Sequence, residues 1–255
     1  LGAARHAPSG LSPSHWGVID RRPTRGGRVG RETRATAAMV GKTGENGNMD
    51  TLLHVGALGP LKVWREDRSV TPTAVKPKTL LAMLAMSPNE VVPVTSLAAE
   101  LWGDRAPRSA KTVIQTYVLS VRKLIAQALP ADSNTAMAMA KKILSTTQDG
   151  YMLNVPQDHI DVRRFERLVD AGHRARERGD YQAASKNFAE ALDCWNGRAL
   201  ADVRLGPNLR LGVTRLEEAR LNVVDCRIDA DLRLGRHHEL LGELAALVTQ
   251  HRTHE

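Results

Sequence analysis

The chain has 255 residues and a formal net charge of +8, and 42% of its residues are apolar but only 4% are aromatic. This length allows one or two compact domains with a largely aliphatic core. No run approaches the roughly 18 consecutive apolar residues of a transmembrane helix, and two cysteines are too few for a disulfide framework or a zinc site of their own. We expect Cys194 and Cys226 to be reduced thiols of a cytoplasmic protein.

The positive charge is concentrated in the first two thirds of the chain. Residues 1–49 carry a net +5, residues 50–155 carry +4 and residues 156–255 carry −1. Contact with a polyanion is therefore predicted for the front of the chain. The back of the chain is expected to have a different task.

Residues 1–49 combine low apolar content with net positive charge, which predicts a disordered segment. They lack the apolar stretch of about 7–15 residues that marks a secretory signal. One interpretation is a basic arm that adds non-specific attraction to phosphates. The other is that the segment precedes the working protein, because Met49 stands just before the first patterned residues.

Residues 50–155 begin with a predicted pair of strands and two short helices. Apolar runs at 52–58 and 61–64 flank a Gly-Pro turn, which is typical of two strands. Pro77 suits the first turn of a helix. A second short helix is predicted to end at Gly103.

A third and longer helix is predicted from Ser109. Its apolar residues recur at intervals of four, three and four, which is typical of one buried stripe. They are Ile114, Val118, Val121 and Ile125. The opposite face carries hydroxyl and basic side chains. Such a face fits the major groove of DNA, and it also fits an ordinary solvated helix.

The segments after this helix favour its interpretation as a DNA-binding helix. Residues 143–147 and 151–153 flank an Asp-Gly pair, which predicts a hairpin with a tight turn. Two helices, a long helix and a hairpin form a winged helix-turn-helix, whose third helix reads bases while the hairpin contacts backbone or minor groove. The polar, alanine-rich residues 130–142 are expected to be a long connection, in which Lys141 and Lys142 add charge near the DNA backbone.

Residues 158–255 predict an all-α domain of tetratricopeptide type. Two helix-pair patterns are related by a shift of 56 residues, which places Gly179 and Gly235 at equivalent turns. This shift exceeds one repeat length, so residues 196–208 are expected to be an insertion. Stacked helix pairs present a protein-binding groove, and the alternative is a plain helical bundle that supports the other domain.

Motifs along residues 51–255 resemble one family. In the front half they are Leu-Trp-Gly-Asp at 101–104, Ser-Ala-Lys at 109–111, Gln-Thr-Tyr-Val at 115–118 and Gly-Tyr-Met-Leu at 150–153. In the back half they lie at 162–168, 199–203 and 227–237. They resemble the SARP regulators, actinobacterial activators of antibiotic gene clusters. The DNA-binding part of that family is similar to the OmpR-type winged helix, and its second part is a bacterial transcriptional activation domain.

The resemblance implies a set of DNA-binding residues. Those expected to face the bases are Thr112, Val113, Thr116 and Tyr117. Those expected to contact mainly phosphates are Lys111, Arg122 and Lys123. The set is completed by Ser120 and by Thr147 in the hairpin.

Two positions on the third helix depart from the family pattern. Ser120 stands where many relatives carry an arginine, and Leu119 stands where the residue is commonly polar. A bidentate arginine is worth about 1–3 kcal/mol of base discrimination. The base preference of this chain is therefore expected to differ from that of such relatives.

The fold implied is mainly α with a small β component: a winged helix followed by a tetratricopeptide-like domain. The function implied is sequence-specific binding to promoter repeats and activation of a secondary-metabolite gene cluster. RNA polymerase and a second copy of the chain are the expected partners, in the cytoplasm at the nucleoid and not at a membrane. The main alternative is a helical protein–protein adaptor. A binder of single strands is disfavoured because the few aromatic side chains are not clustered.

Enzyme chemistry has no recognisable motif in the sequence. There is no Gly-x-Ser-x-Gly, no phosphate-binding glycine loop and no Cys–His pair of triad type. His237 and His238 do not form a metal site on one helix face, because neighbouring helical residues point about 100° apart. We therefore expect no catalysis, metal or cofactor. The family's activation domain normally has further helices beyond the last residue here, so a truncated domain is expected.

Overall fold

The computed structural model describes residues 53–238 and residue 240. The front half comprises the strands β1 (His54–Gly56), β2 (Lys62–Arg65), β3 (Arg68–Ser69), β4 (Val92–Pro93), β5 (Leu144–Thr146) and β6 (Gly150–Leu153). Its helices are α1 (Val75–Met86), α2 (Val94–Trp102), α3 (Ala110–Ala128) and α4 (Ser133–Ile143). The back half comprises α5 (Asp161–Glu177), α6 (Tyr181–Leu192) and α7 (Pro207–Arg233).

The strands form two small antiparallel sheets, in the orders β1-β2-β3 and β4-β6-β5. The predicted initial strand pair, three helices and hairpin are all present, so the winged-helix fold is confirmed. The buried stripe of α3 is confirmed as well, since Ile114, Val118, Val121 and Ile125 are at most 1% exposed.

Helix α4 is the main element that the sequence prediction missed. The segment expected to be a connection forms a helix whose first turn is capped by Asp132, which accepts from the backbone N–H of Asn134 and Thr135 at 3.0 and 3.1 Å. Ala136 and Ala140 are buried, and α4 packs along α3. The signals for this helix in the sequence were the capping residue Asp132 and the small residues Ala136 and Ala140, one turn apart.

The hairpin turn differs from the predicted tight Asp-Gly turn. Thr146 pairs with Tyr151, and the N–H of Thr147 donates to the carbonyl of Gly150 at 2.9 Å, so Gln148 and Asp149 form the turn and Gly150 is the first residue of β6. Gly150 is needed for a different reason: a Cβ there would collide with the carbonyl oxygen of Val92 on β4. The glycine allows the two strands to approach each other.

The back half has the helix packing and the turns of a tetratricopeptide-like domain. A Cβ on Gly172 of α5 would lie 2.5 Å from the ring of the buried Phe188 of α6, so the glycine permits the close crossing of these helices. Gly179 and Gly235 both have a positive φ, +76° and +77°. The next N–H bonds the carbonyl five residues back at both turns, at 3.0 and 3.1 Å. The equivalence of the two turns is confirmed, while most of the predicted last helix lies outside the described residues.

The predicted insertion connects the two halves. It runs from Asn196 to the start of α7 at Pro207. The N–H of Asn196 donates to the carbonyl of Leu58 at 2.7 Å, and Asp202 accepts from the N–H of Leu61 and from Lys78 Nζ, both at 2.7 Å. The segment therefore fastens the β1–β2 turn and α1 to the back half.

Two further carboxylates join the halves at helix N-termini. Asp161, the first residue of α5, accepts from the N–H groups of Ala57 and Leu58 at 2.8 Å. Glu100 of α2 is only 5% exposed, and its oxygens accept from the first N–H groups of α7. These donors are the N–H groups of Gly206, Asn208 and Leu209, at 2.5, 2.8 and 3.3 Å. A negative charge there satisfies donors that the helix itself leaves unpaired.

Substitution of Glu100 tests this junction. Glu100→Gln keeps the size of the side chain but replaces one acceptor oxygen with a donor that faces N–H groups. We expect the free energy of unfolding to fall by about 1–3 kcal/mol, measured by urea denaturation, with faster amide exchange at residues 206–209. Glu90→Gln, at an exposed carboxylate, is the matched control. Equal urea midpoints for both variants and the wild type would show that the contact contributes nothing.

Candidate nucleic-acid interface

The exposed side of α3 is one continuous polar surface with a single large apolar residue. We call it the α3 face, and its members are Thr112, Gln115, Thr116, Leu119, Ser120 and Lys123. On an ideal helix all of them project within about 100° of Thr116. They remain exposed to solvent although α3 packs against α1, α2 and α4. The face therefore has the form that insertion into a groove requires.

Five of the nine predicted residues are exposed on or beside this face. Thr112, Thr116, Ser120 and Lys123 belong to the α3 face, and Lys111 is exposed in the first turn of α3. The Thr116 hydroxyl donates to the carbonyl of Thr112 at 3.1 Å, which leaves its oxygen as an acceptor. The other four predicted residues have contacts within the protein.

Val113 and Tyr117 lie at the edge of the face and are half-buried. The ring of Tyr117 stacks on Trp102 of α2 with centroids 6.5 Å apart and 20° between the planes, and Lys76 Nζ lies 4.7 Å from the Trp102 ring centre. The expectation that the aromatic side chains are not clustered is therefore wrong for this pair. Because the two rings cover each other, they are poor stacking platforms for unpaired bases.

Arg122 binds the base of the hairpin. Its Nε and Nη2 donate to the carbonyl of Leu144 at 2.9 and 2.6 Å, and Nη2 also donates to Thr146 Oγ1 at 2.8 Å. Partial burial lowers the pKa of Arg122, and burial raises the pKa of the neighbouring Tyr151 phenol. The guanidinium thus connects α3 to β5, and only Nη1 has no hydrogen bond to the described part of the chain.

Thr147 closes the hairpin turn. Its hydroxyl oxygen accepts from the N–H of Gly150 at 3.1 Å, and its side chain is half-buried. Gln148 and Asp149 are the exposed residues of the turn. The outermost charge of the hairpin is therefore acidic, which does not favour a phosphate at that point.

The last turn of α4 adds positive charge beside the hairpin. Lys141 and Lys142 are both exposed, and the Lys142 carbonyl accepts from Asn154 Nδ2 at 2.7 Å, directly after β6. That these lysines add charge near the DNA backbone stays a prediction. Basic side chains at a helix C-terminus also stabilise the helix itself.

Gln115 and Leu119 belong to the α3 face but were absent from the predicted set. The signal for both was available, since Gln115 follows Thr112 by three residues and Leu119 follows Thr116 by three.

Among residues 53–238 and 240, no group of three metal-ligating side chains is present. None of the helices in those residues is long and apolar enough to cross a membrane. Both cysteines are free thiols.

Comparison with known proteins assigns each half of the chain to a family of domains. Residues 63–153 match the family described as "Transcriptional regulatory protein, C terminal", and residues 160–255 match the "Bacterial transcriptional activator domain". Together with the winged helix and the exposed α3 face, these matches define the class: a transcriptional regulator with a winged-helix half and a helical activator half.

Individual relatives narrow this class. The chain is 47% identical to the regulatory protein DnrI of Streptomyces peucetius over 203 residues, which cover 80% of this chain and 74% of DnrI. It is 30% identical to the regulatory protein AfsR of Streptomyces coelicolor over 200 residues, 78% of this chain but 19% of AfsR. The chain belongs to the SARP family of transcriptional activators.

A solved structure shares the same architecture. Mycobacterium tuberculosis EmbR, in complex with a low-affinity phosphopeptide, superposes with a TM-score of 0.70 and 30% sequence identity. The match covers 79% of this chain and 51% of the EmbR chain. The likeness therefore concerns about half of EmbR, and it confirms the mainly α fold with small sheets.

The role of Arg122 in holding the hairpin is testable by amide exchange. Arg122→Ala and Arg122→Lys both lose the paired hydrogen bonds to Leu144 and Thr146, because a single ammonium cannot reproduce the planar guanidinium. We expect amide exchange at residues 144–154 to accelerate about tenfold or more in both variants. Lys123→Ala removes the neighbouring exposed cation and should leave that exchange unchanged. Wild-type exchange in Arg122→Ala would contradict the role.

Proposed function

We propose that the chain binds double-stranded promoter DNA with sequence specificity through the α3 face and activates a secondary-metabolite gene cluster. The observation that carries the proposal is that face itself. Hydroxyl, amide and ammonium groups are exposed together on it without any carboxylate, while the opposite stripe of α3 is fixed in the core. A helix of this kind enters the major groove, where base edges present donors and acceptors to such groups.

The predicted residues divide by role in this proposal. Thr112, Thr116 and Ser120 meet base edges, and Lys111 and Lys123 meet phosphates. The remaining four act at the edge of the interface or hold the hairpin: they are Val113, Tyr117, Arg122 and Thr147. Arg122 keeps only Nη1 for a phosphate, so its main effect is on the position of the hairpin.

The helical half is proposed to contact RNA polymerase, and a second copy of the chain is proposed to occupy the neighbouring promoter repeat. Support comes from the family membership and from helices stacked in tetratricopeptide manner, which serve as protein-binding surfaces. A division near residue 156 is part of this proposal, because the two family matches end at residue 153 and begin at residue 160. The cytoplasm, at the nucleoid, is the compartment that such a task implies.

A salt titration tests the DNA-binding part. Binding to duplex DNA should weaken steeply between about 50 and 200 mM salt, because phosphate contacts release counterions. Lys111→Ala and Lys123→Ala should each lower the salt slope by about one and weaken all duplexes similarly. Lys186→Ala, at an exposed lysine of α6, is the control and should leave the slope unchanged.

Thr116→Ala separates base reading from phosphate contact. It should change the preference among duplexes and leave the salt slope as it is, because the residue carries no charge. A uniform loss of affinity would show that Thr116 does not read bases. Duplex binding that is insensitive to salt would favour the alternative function, a helical protein–protein adaptor with a solvated basic helix.

A further inference from the structure

Leu119 is an isolated apolar residue on the α3 face. It is 45% exposed. Its neighbours one turn away are the exposed polar residues Gln115, Thr116 and Lys123, together with the half-buried Arg122, whose guanidinium is bound to the hairpin. The buried stripe of α3 lies on the far side of the helix, and Leu119 is not part of the hydrophobic core cluster.

The major groove offers one apolar partner to such a side chain. Guanine, cytosine and adenine present donors and acceptors there, and thymine adds its C5 methyl group. A leucine placed over a polar base edge would remove water from that edge without replacing the hydrogen bonds, which is unfavourable. A leucine placed on a methyl group buries apolar surface on both partners.

The position of Gln115, one turn before Leu119, places Leu119 at the base edges when the α3 face lies in the major groove. The Gln115 amide has no hydrogen bond to the described part of the chain, and it can contact adenine N6 and N7 in a bidentate manner. Four residues of helix rise about 6 Å, somewhat less than two base-pair steps of about 3.4 Å each. Gln115 and Leu119 therefore reach base pairs one or two steps apart within one groove.

We propose that Leu119 packs on the C5 methyl group of a thymine in the major groove and thereby determines specificity at that base pair. This inference rests on the proposed function, since it requires that the α3 face enters duplex DNA.

The experiment removes the C5 methyl group from the DNA and, separately, shortens the Leu119 side chain to that of alanine. The full chain selects duplexes from a randomised library, and each thymine of a selected duplex is then replaced singly by deoxyuridine, which lacks only the C5 methyl. Wild-type protein should lose about three- to fivefold in affinity at one position of each bound repeat, as expected for one buried methyl group. Leu119→Ala should bind the thymine duplex more weakly and show no deoxyuridine effect at that position.

Two further variants serve as controls. Leu119→Met keeps an apolar side chain of similar size and should retain the sensitivity to deoxyuridine. Leu211→Ala removes another exposed leucine, on α7, where the side chain is 54% exposed, and should behave as wild type.

The outcomes separate the inference from the function on which it rests. If no duplex is selected, the proposed DNA binding itself fails. If duplexes are selected but Leu119→Ala leaves every deoxyuridine effect unchanged, the thymine contact is overturned while DNA binding stands. An equal loss for thymine and uracil duplexes in Leu119→Ala, with the wild-type pattern otherwise intact, also overturns it, since Leu119 would then contact sugar, phosphate or another protein.

Discussion

The burial of one side of α3 is the constraint on which the functional argument depends. Ile114, Val118, Val121 and Ile125 lie in the core of the winged-helix half, and each is at most 1% exposed. A helix held along one stripe cannot rotate about its axis without exposing apolar surface, at a cost of about 1.5–3 kcal/mol for each such side chain. The α3 face is therefore fixed in its outward direction, and small polar groups on it can be presented to a partner without further ordering.

The connection between the halves depends on three carboxylates, of which Glu100 is buried, Asp161 is half-buried and Asp202 is exposed. Glu100 and Asp161 bind backbone N–H groups across the junction, and Asp202 adds an ion pair with Lys78 at 2.7 Å. Burial raises the pKa of Asp161, while hydrogen bonds from the backbone of Leu58 and Ala57 act in the opposite direction. Glu100 belongs to α2 and caps the N-terminus of α7, so α2 is joined directly to the longest helix of the back half. Helix α2 in turn packs against α3.

The role of the Arg122 guanidinium in the structure differs from the role that its position in the sequence predicts. In the sequence it is one of several cations on the third helix, and a phosphate is the natural partner for it. In the structure its planar donors match the carbonyl of Leu144 and the hydroxyl of Thr146, so the hairpin is held at a fixed distance from α3. The hydrogen-bonded guanidinium of Arg122 positions the hairpin, whereas the neighbouring Lys123 is exposed and remains accessible to an anionic partner.

The sequence alone determined the order of the elements other than α4 and the two-residue strands β3 and β4, the inward stripe and outward face of α3, and the repeated helix turns at Gly179 and Gly235. These are local properties, since periodicity and turn chemistry act over a few residues. Helix α4 could have been found in the same way, from its acidic cap and its two buried alanines.

Only the tertiary structure decided which polar groups are used inside the protein. Arg122, Tyr117 and Thr147 look available in the sequence, yet each has a partner distant in the chain or across a turn. The carboxylates of Glu100 and Asp202 find their partners more than 100 residues away. Periodicity carries no information on such pairs, because a hydrogen bond depends on the meeting of two surfaces and not on the spacing within either one.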